Sequence, residues 1–163
     1  MEETWNRARS TRTLDAPILE AIEALIRENV ESCRSFQVAA GVIAGSPMAA
    51  LFQEIARNRF RNAADLRRWV TPSRSPNRPC ERRGSPTYRW REEFASSEGL
   101  GNPRAMLYAV ERGEEAIDLA YLRTLEGIEE HPVRNLIREQ ELEVRRHREQ
   151  VRDLRKRTFA VLR

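Results

Sequence analysis

Histidine and cysteine are scarce in this chain: two of each in 163 residues, His131 and His147, Cys33 and Cys80. A structural zinc site takes about four Cys or His ligands at close spacing, and these four do not supply it. Two cysteines with 46 residues between them make no disulfide scaffold either. Long apolar runs are also missing. The longest, Val38 to Ala44, falls far short of the ~20 residues a membrane span requires. The first thirteen positions mix acids and bases and lack the apolar stretch of a signal peptide, so a cytoplasmic protein without membrane contact is expected. Lysine is nearly absent, because 28 of the 29 basic residues are arginine and only Lys156 is lysine.

What the chain does have is helical periodicity. Residues 1–14 show none and read as a loose arm; 15–163 read as one domain. Asp15 ahead of Pro17 forms an N-cap and first-turn proline. Ile18, Ile22, Leu25, Ile26, Cys33, Phe36, Ala40 and Ile43 then recur at spacings of three and four, which predicts a helix of roughly seven turns. Gly41 and Gly45 mark its end. Ser46-Pro47 opens a second helix with Phe52, Ile55, Ala56, Ala63, Leu66 and Val70 on one face. Asn102-Pro103 opens a third, carrying Leu107, Val110, Ile117, Tyr121 and Leu125. His131-Pro132 precedes a fourth, carrying Val133, Ile137, Val144, Val151 and Leu154. No strand-like alternation of useful length appears, so the fold class is all-α.

Connection lengths narrow the architecture. Short loops join helices one to two and three to four, whereas about thirty residues separate two from three. The intervening 71–102 contain the proline- and arginine-rich TPSRSPNRPCERRG and a short helical stretch near 85–94. One long crossover is the mark of a ferritin-like four-helix bundle, in which helices two and three run parallel.

At 100° per residue, a polar side chain falls near the centre of each apolar stripe: Asn29, Arg59, Glu114, and on the fourth helix His147 with Gln140. Each of Asn29, Arg59, Glu114 and His147 lies near its helix midpoint, so the four should share a layer. Buried polar groups cost several kcal/mol unless they satisfy one another. One reading is a metal site for iron or manganese, built from Glu111, Glu114, Glu143 and His147. The other puts Arg59 in the metal's electrostatic place, with a bidentate Arg59–Glu114 pair and Asn29, Gln140 and His147 filling the remaining positions without a cofactor. A guanidinium keeps its charge and repels cations, which favours the second.

The segments ENVESCRSFQVAA, SPMAALFQEIARNRFRNAADLRRW, GSPTYRWREEF, AVERGEEAIDLAYLRTLE and VRRHREQVRDLR resemble a bacterial ferritin-like four-helix-bundle family catalogued as a domain of unknown function. The resemblance spans roughly residues 17–157. It implies the bundle and the extra crossover helix around Tyr88 and Trp90, and implies no activity.

Positive charge concentrates at 71–91, with six Arg and one Glu, and at 144–163, with eight bases and two acids. Tyr88 and Trp90 among those arginines could stack on bases. Solvated helix faces and cations near a helix C-terminus account for the same pattern, and nucleic acid is not the expected partner. Cys33 falls on a buried seam and Cys80 among arginines, where an ordinary exposed thiol is expected. No Ser-His-acid spacing stands out. The expectation is a non-enzymatic bundle that binds a protein partner or a second copy of itself.

Overall fold

The computed structural model describes residues 14–71 and 102–161. Four helices account for their regular structure: α1 (Ala16–Val42), α2 (Pro47–Val70), α3 (Pro103–Glu126) and α4 (Val133–Val161), with no strand among the described residues. The expected arm at 1–13 and the stretch holding Cys80, Tyr88 and Trp90 lie outside the described residues.

Helix starts follow the predicted proline signals, by different means. Asp15 and Ser46 have extended backbone at the N-cap but make no side-chain cap, whereas Asn102 accepts hydrogen bonds from the N–H groups of Arg104 and Ala105 at 3.0 and 3.3 Å. Leu14 does not belong to a loose arm. It is 7% exposed and joins Leu19 in the same apolar cluster. The reason is local: Leu14 and Leu19 occupy the positions of a hydrophobic staple around the Asp15 cap, which fixes the entry angle of α1.

Two apolar clusters sit at opposite ends of the molecule. One joins Phe36 and Ala40 of α1, Phe52 and Ile55 of α2, Leu107 and Val110 of α3, and Val151 of α4. Its anchor is an edge-to-face contact of Phe36 and Phe52, with ring centroids 5.3 Å apart. The other joins Ile22 and Leu25 of α1, Leu66 of α2, Ile117 and Tyr121 of α3, and Ile137 and Val144 of α4. The C-terminal half of α1 therefore meets the N-terminal halves of α2 and α3. So α1 and α4 point one way, α2 and α3 the other. The main packing partners are α1 with α2 and α3 with α4, joined by contacts of α1 with α3 and of α2 with α4. This leaves α1 and α4, and α2 and α3, on the diagonals.

The α3–α4 seam adds charge to the packing. Arg148 Nη1 donates to Asp118 at 2.8 Å and its Nη2 lies 3.3 Å from Glu115, while Arg155 pairs with Glu111. Arg134 reaches back from α4 to the carbonyls of Leu125, at the end of α3, and Ile128, in the turn that follows.

Two glycines near the α1–α2 turn differ in what they do. Gly45 has φ of +84°, a left-handed conformation that a side chain resists, while Gly41 is helical with open space around a built Cβ. Gly45→Ala should destabilise the protein by about 1 kcal/mol. Gly41→Ala should stabilise it by roughly 0.5 kcal/mol. Chemical denaturation of the two variants checks both signs.

Candidate functional site

Between the two apolar clusters lies a polar layer to which all four helices contribute. Asn29, Arg59, Glu114, Gln140 and His147 are all buried, and Arg59 and Glu114 are each 0% exposed. The helical periodicity that turns the apolar stripes inward carries these side chains with them, one or two per helix.

The centre of the layer is an ion pair across the bundle diagonal. Arg59 Nη2 donates to Glu114 Oε2 at 2.6 Å. The pair is one-armed, not the bidentate fork expected from the sequence. The second guanidinium nitrogen, Nη1, donates instead to Asn58 Oδ1 of the preceding residue at 2.9 Å. Asn58 in turn donates to Glu143 Oε2 at 2.6 Å and accepts from Asn62 at 3.4 Å. Asn58 takes the Nη1 arm of the guanidinium, and only Nη2 bonds Glu114 directly.

A second chain of bonds runs through Tyr121. Asn29 Nδ2 donates both to the Leu25 carbonyl and to the Tyr121 hydroxyl, each at 2.8 Å. The hydroxyl donates to Gln140 Oε1 at 3.0 Å, and Gln140 Nε2 donates to the Asn62 carbonyl at 3.3 Å. Asn29 and Gln140 thus serve the tyrosine, not the ion pair as the sequence reading had it. His147 does not fill the remaining position on Glu114 either: its Nδ1 and Glu114 Oε1 both lack a hydrogen-bond partner among the described residues. Asn58, Asn62 and the Tyr121 hydroxyl are connectors that the stripe-centre criterion passes over. The signal available for the first two is the spacing of Asn58 and Asn62, one turn apart around Arg59.

Burial dominates the electrostatics. It pushes the Glu114 carboxyl above its usual range, and the Arg59 guanidinium holds that rise back. Tyr121 is pushed up to about 12 by burial, against the pull of Arg59 and its asparagine partners, so its hydroxyl stays a donor. His147 is lowered to about 4 by burial and then by the charges of Arg59, Arg146 and Arg61, and is neutral at pH 7. Cys33 is buried and its thiol raised by desolvation, with Arg34 opposing, which makes it a poor nucleophile.

The carboxylates of the metal reading are dispersed among separate partners. Glu111 faces Arg155, Glu143 faces Asn58 with Arg61 at 3.8 Å, and Glu114 holds Arg59. Among the described residues, no three His, Cys, Asp or Glu side chains gather in a way that could hold a metal ion. That donor arrangement, with a cation already beside Glu114, does not fit a di-metal ligand set. The other histidine, His131, sits in the α3–α4 turn, where its Nδ1 accepts from the Val133 N–H at 3.2 Å and its ring meets Trp69 edge-on.

Among the described residues no helix is long and apolar enough to cross a membrane. No family model, curated protein or solved structure matches the chain.

Removing one partner of a buried pair leaves the other charge stranded, so Arg59→Met should cost about 3–5 kcal/mol of unfolding free energy. The double variant Arg59→Met, Glu114→Leu should recover most of that loss. In the single variant Glu114 binds its proton more tightly folded than unfolded. Glu114's contribution to the variant's stability should therefore be fullest below about pH 4.5, the carboxyl's ordinary value, and be lost as pH rises. Urea titrations across pH test all three.

His147 gives the opposite slope. Between pH 6.5 and about 4 the unfolded chain takes up a proton that the folded ring refuses, so stability falls as pH drops through that window. Screening at the edge of the layer reduces the effect to about 1–2 kcal/mol. Comparing the wild type with His147→Gln isolates it, since the variant should lack this part of the acid slope.

Proposed function

We propose that this chain is a metal-free, ferritin-like four-helix bundle that acts as a non-enzymatic interaction module, its partner being another protein or a second copy of itself. The observation that carries the reading is the fully buried Arg59–Glu114 pair. A cation that cannot be deprotonated occupies the level of the bundle where proteins of this architecture hold metal ions, and it consumes the carboxylate best placed to bind one.

The helix order supports the ferritin-like part. With α2 and α3 parallel, the end of α2 and the start of α3 lie at opposite ends of the bundle, as a long crossover of that fold class requires. Two features favour binding over catalysis. The buried thiol is raised, and the carboxylates are engaged by arginines and an asparagine. Recognition then falls to the surface, where large apolar side chains stand exposed on every helix, Phe60 of α2 at 65%.

Elemental analysis of protein purified from cells supplied with iron and manganese tests the central claim. Far less than one metal per chain is expected. Stoichiometric metal that disappears in Glu114→Gln would overturn the reading in favour of a carboxylate metal site. Sedimentation over a concentration series separates self-association from a need for a different partner.

A further inference from the structure

The unfinished fork between Arg59 and Glu114 has a defined shape. In a guanidinium, Nε and Nη2 lie on one edge and point their N–H bonds the same way. Nη2 is bonded to Glu114 Oε2 at 2.6 Å. Nε, on the same edge, and Oε1, on the same carboxylate, are both buried and have no hydrogen-bond partner among the described residues. Covalent geometry therefore makes one orphan donor and one orphan acceptor neighbours at the centre of the bundle. They belong to fully buried side chains, where an unmade hydrogen bond is costly.

We propose that the mid-bundle layer is a binding site for a single internal water molecule, which accepts from Arg59 Nε–H and donates to Glu114 Oε1. The chemistry selects the guest. The charges of Arg59 and Glu114 already balance, so a cation would meet the guanidinium and an anion the carboxylate. The guest is uncharged and both accepts and donates. Water is the smallest molecule that does so, and an internal water ordinarily makes about three hydrogen bonds. Its second proton needs an acceptor. Buried atoms without a partner that can serve are Asp118 Oδ1, one turn from Glu114 and close enough to feel its charge, Asn29 Oδ1 and His147 Nδ1. His147 is close enough to Arg59 to feel its charge.

This water turns the one-armed pair into a closed ring: Nη2 to Oε2 directly, and Nε to Oε1 through the bridge. It also explains how Asn58 can hold Nη1 without leaving the carboxylate half-satisfied. The inference rests on the metal-free reading of the layer.

A crystal structure of the full chain at atomic resolution, with diffraction data also collected at the iron and manganese absorption edges, tests it. The expected result is a peak without anomalous signal, about 2.7–3.2 Å from both Arg59 Nε and Glu114 Oε1. Nuclear magnetic resonance of the labelled protein should show a cross-peak from the Arg59 Nε proton to a long-lived water. A direct Nε–Oε1 contact, with no cross-peak to water, would overturn the bridge and leave the metal-free reading standing. An anomalous peak bonded to Glu114 would overturn both.

Discussion

A charge that cannot be given up, buried away from bulk solvent, sets the terms for the rest of this bundle. Arg59 crosses the diagonal from α2 to α3, a span suited to the longest of the basic side chains. Its partner has to be ionised, close and at the right height. A buried pair of this kind adds little net stability compared with well-packed hydrocarbon. Its effect is on the alternatives. Sliding α2 by one turn brings Ile55 or Ala63 opposite Glu114 and strands two charges. The pair thereby ties helix register to electrostatics, not to apolar side chains that could be exchanged for one another.

The remaining polar side chains are arranged around that constraint. Asn58 holds the guanidinium from its own helix and is itself held by Asn62, while Tyr121 links α1 to α4 through Asn29 and Gln140. Those two chains of bonds meet at Asn62, whose carbonyl accepts from Gln140 and whose side chain donates to Asn58. All four helices are thus coupled at one height. Above and below, packing is apolar and adaptable. The layer is what specifies one arrangement among many of similar packing quality.

The helices, their faces and the level of the polar layer were legible in the sequence because each depends only on a 3.6-residue period and on equal helix lengths. Arg59 and Glu114 stand at the centres of their stripes, and periodicity alone places them together. What periodicity does not contain is the rotamer. Which guanidinium nitrogen meets which carboxylate oxygen is decided by competition from Asn58, which lies off the stripe centre. Tyr121 reads as an apolar residue because its ring is one, and its hydroxyl matters only once Asn29 and Gln140 are set on either side. Leu14 reads as arm because a staple is a pair of residues across a cap, not a repeat. The carboxylates of the metal reading are kept apart on the same ground. Glu111 and Glu143 sit near the right height, but each meets its own partner on a neighbouring helix before it can reach Glu114.

The two hairpins are held by different forces. Between α1 and α2, Phe36 packs against Phe52 with alanines beside them. Along α3 and α4 the seam is laced with Asp118–Arg148 and Glu111–Arg155. Added salt acts on these in opposite senses. A strongly hydrated salt such as sulfate tightens apolar burial, while its ions screen the partly exposed pairs. The apolar contacts of the bundle are thereby firmed while the Asp118–Arg148 and Glu111–Arg155 pairs along α3 and α4 are loosened.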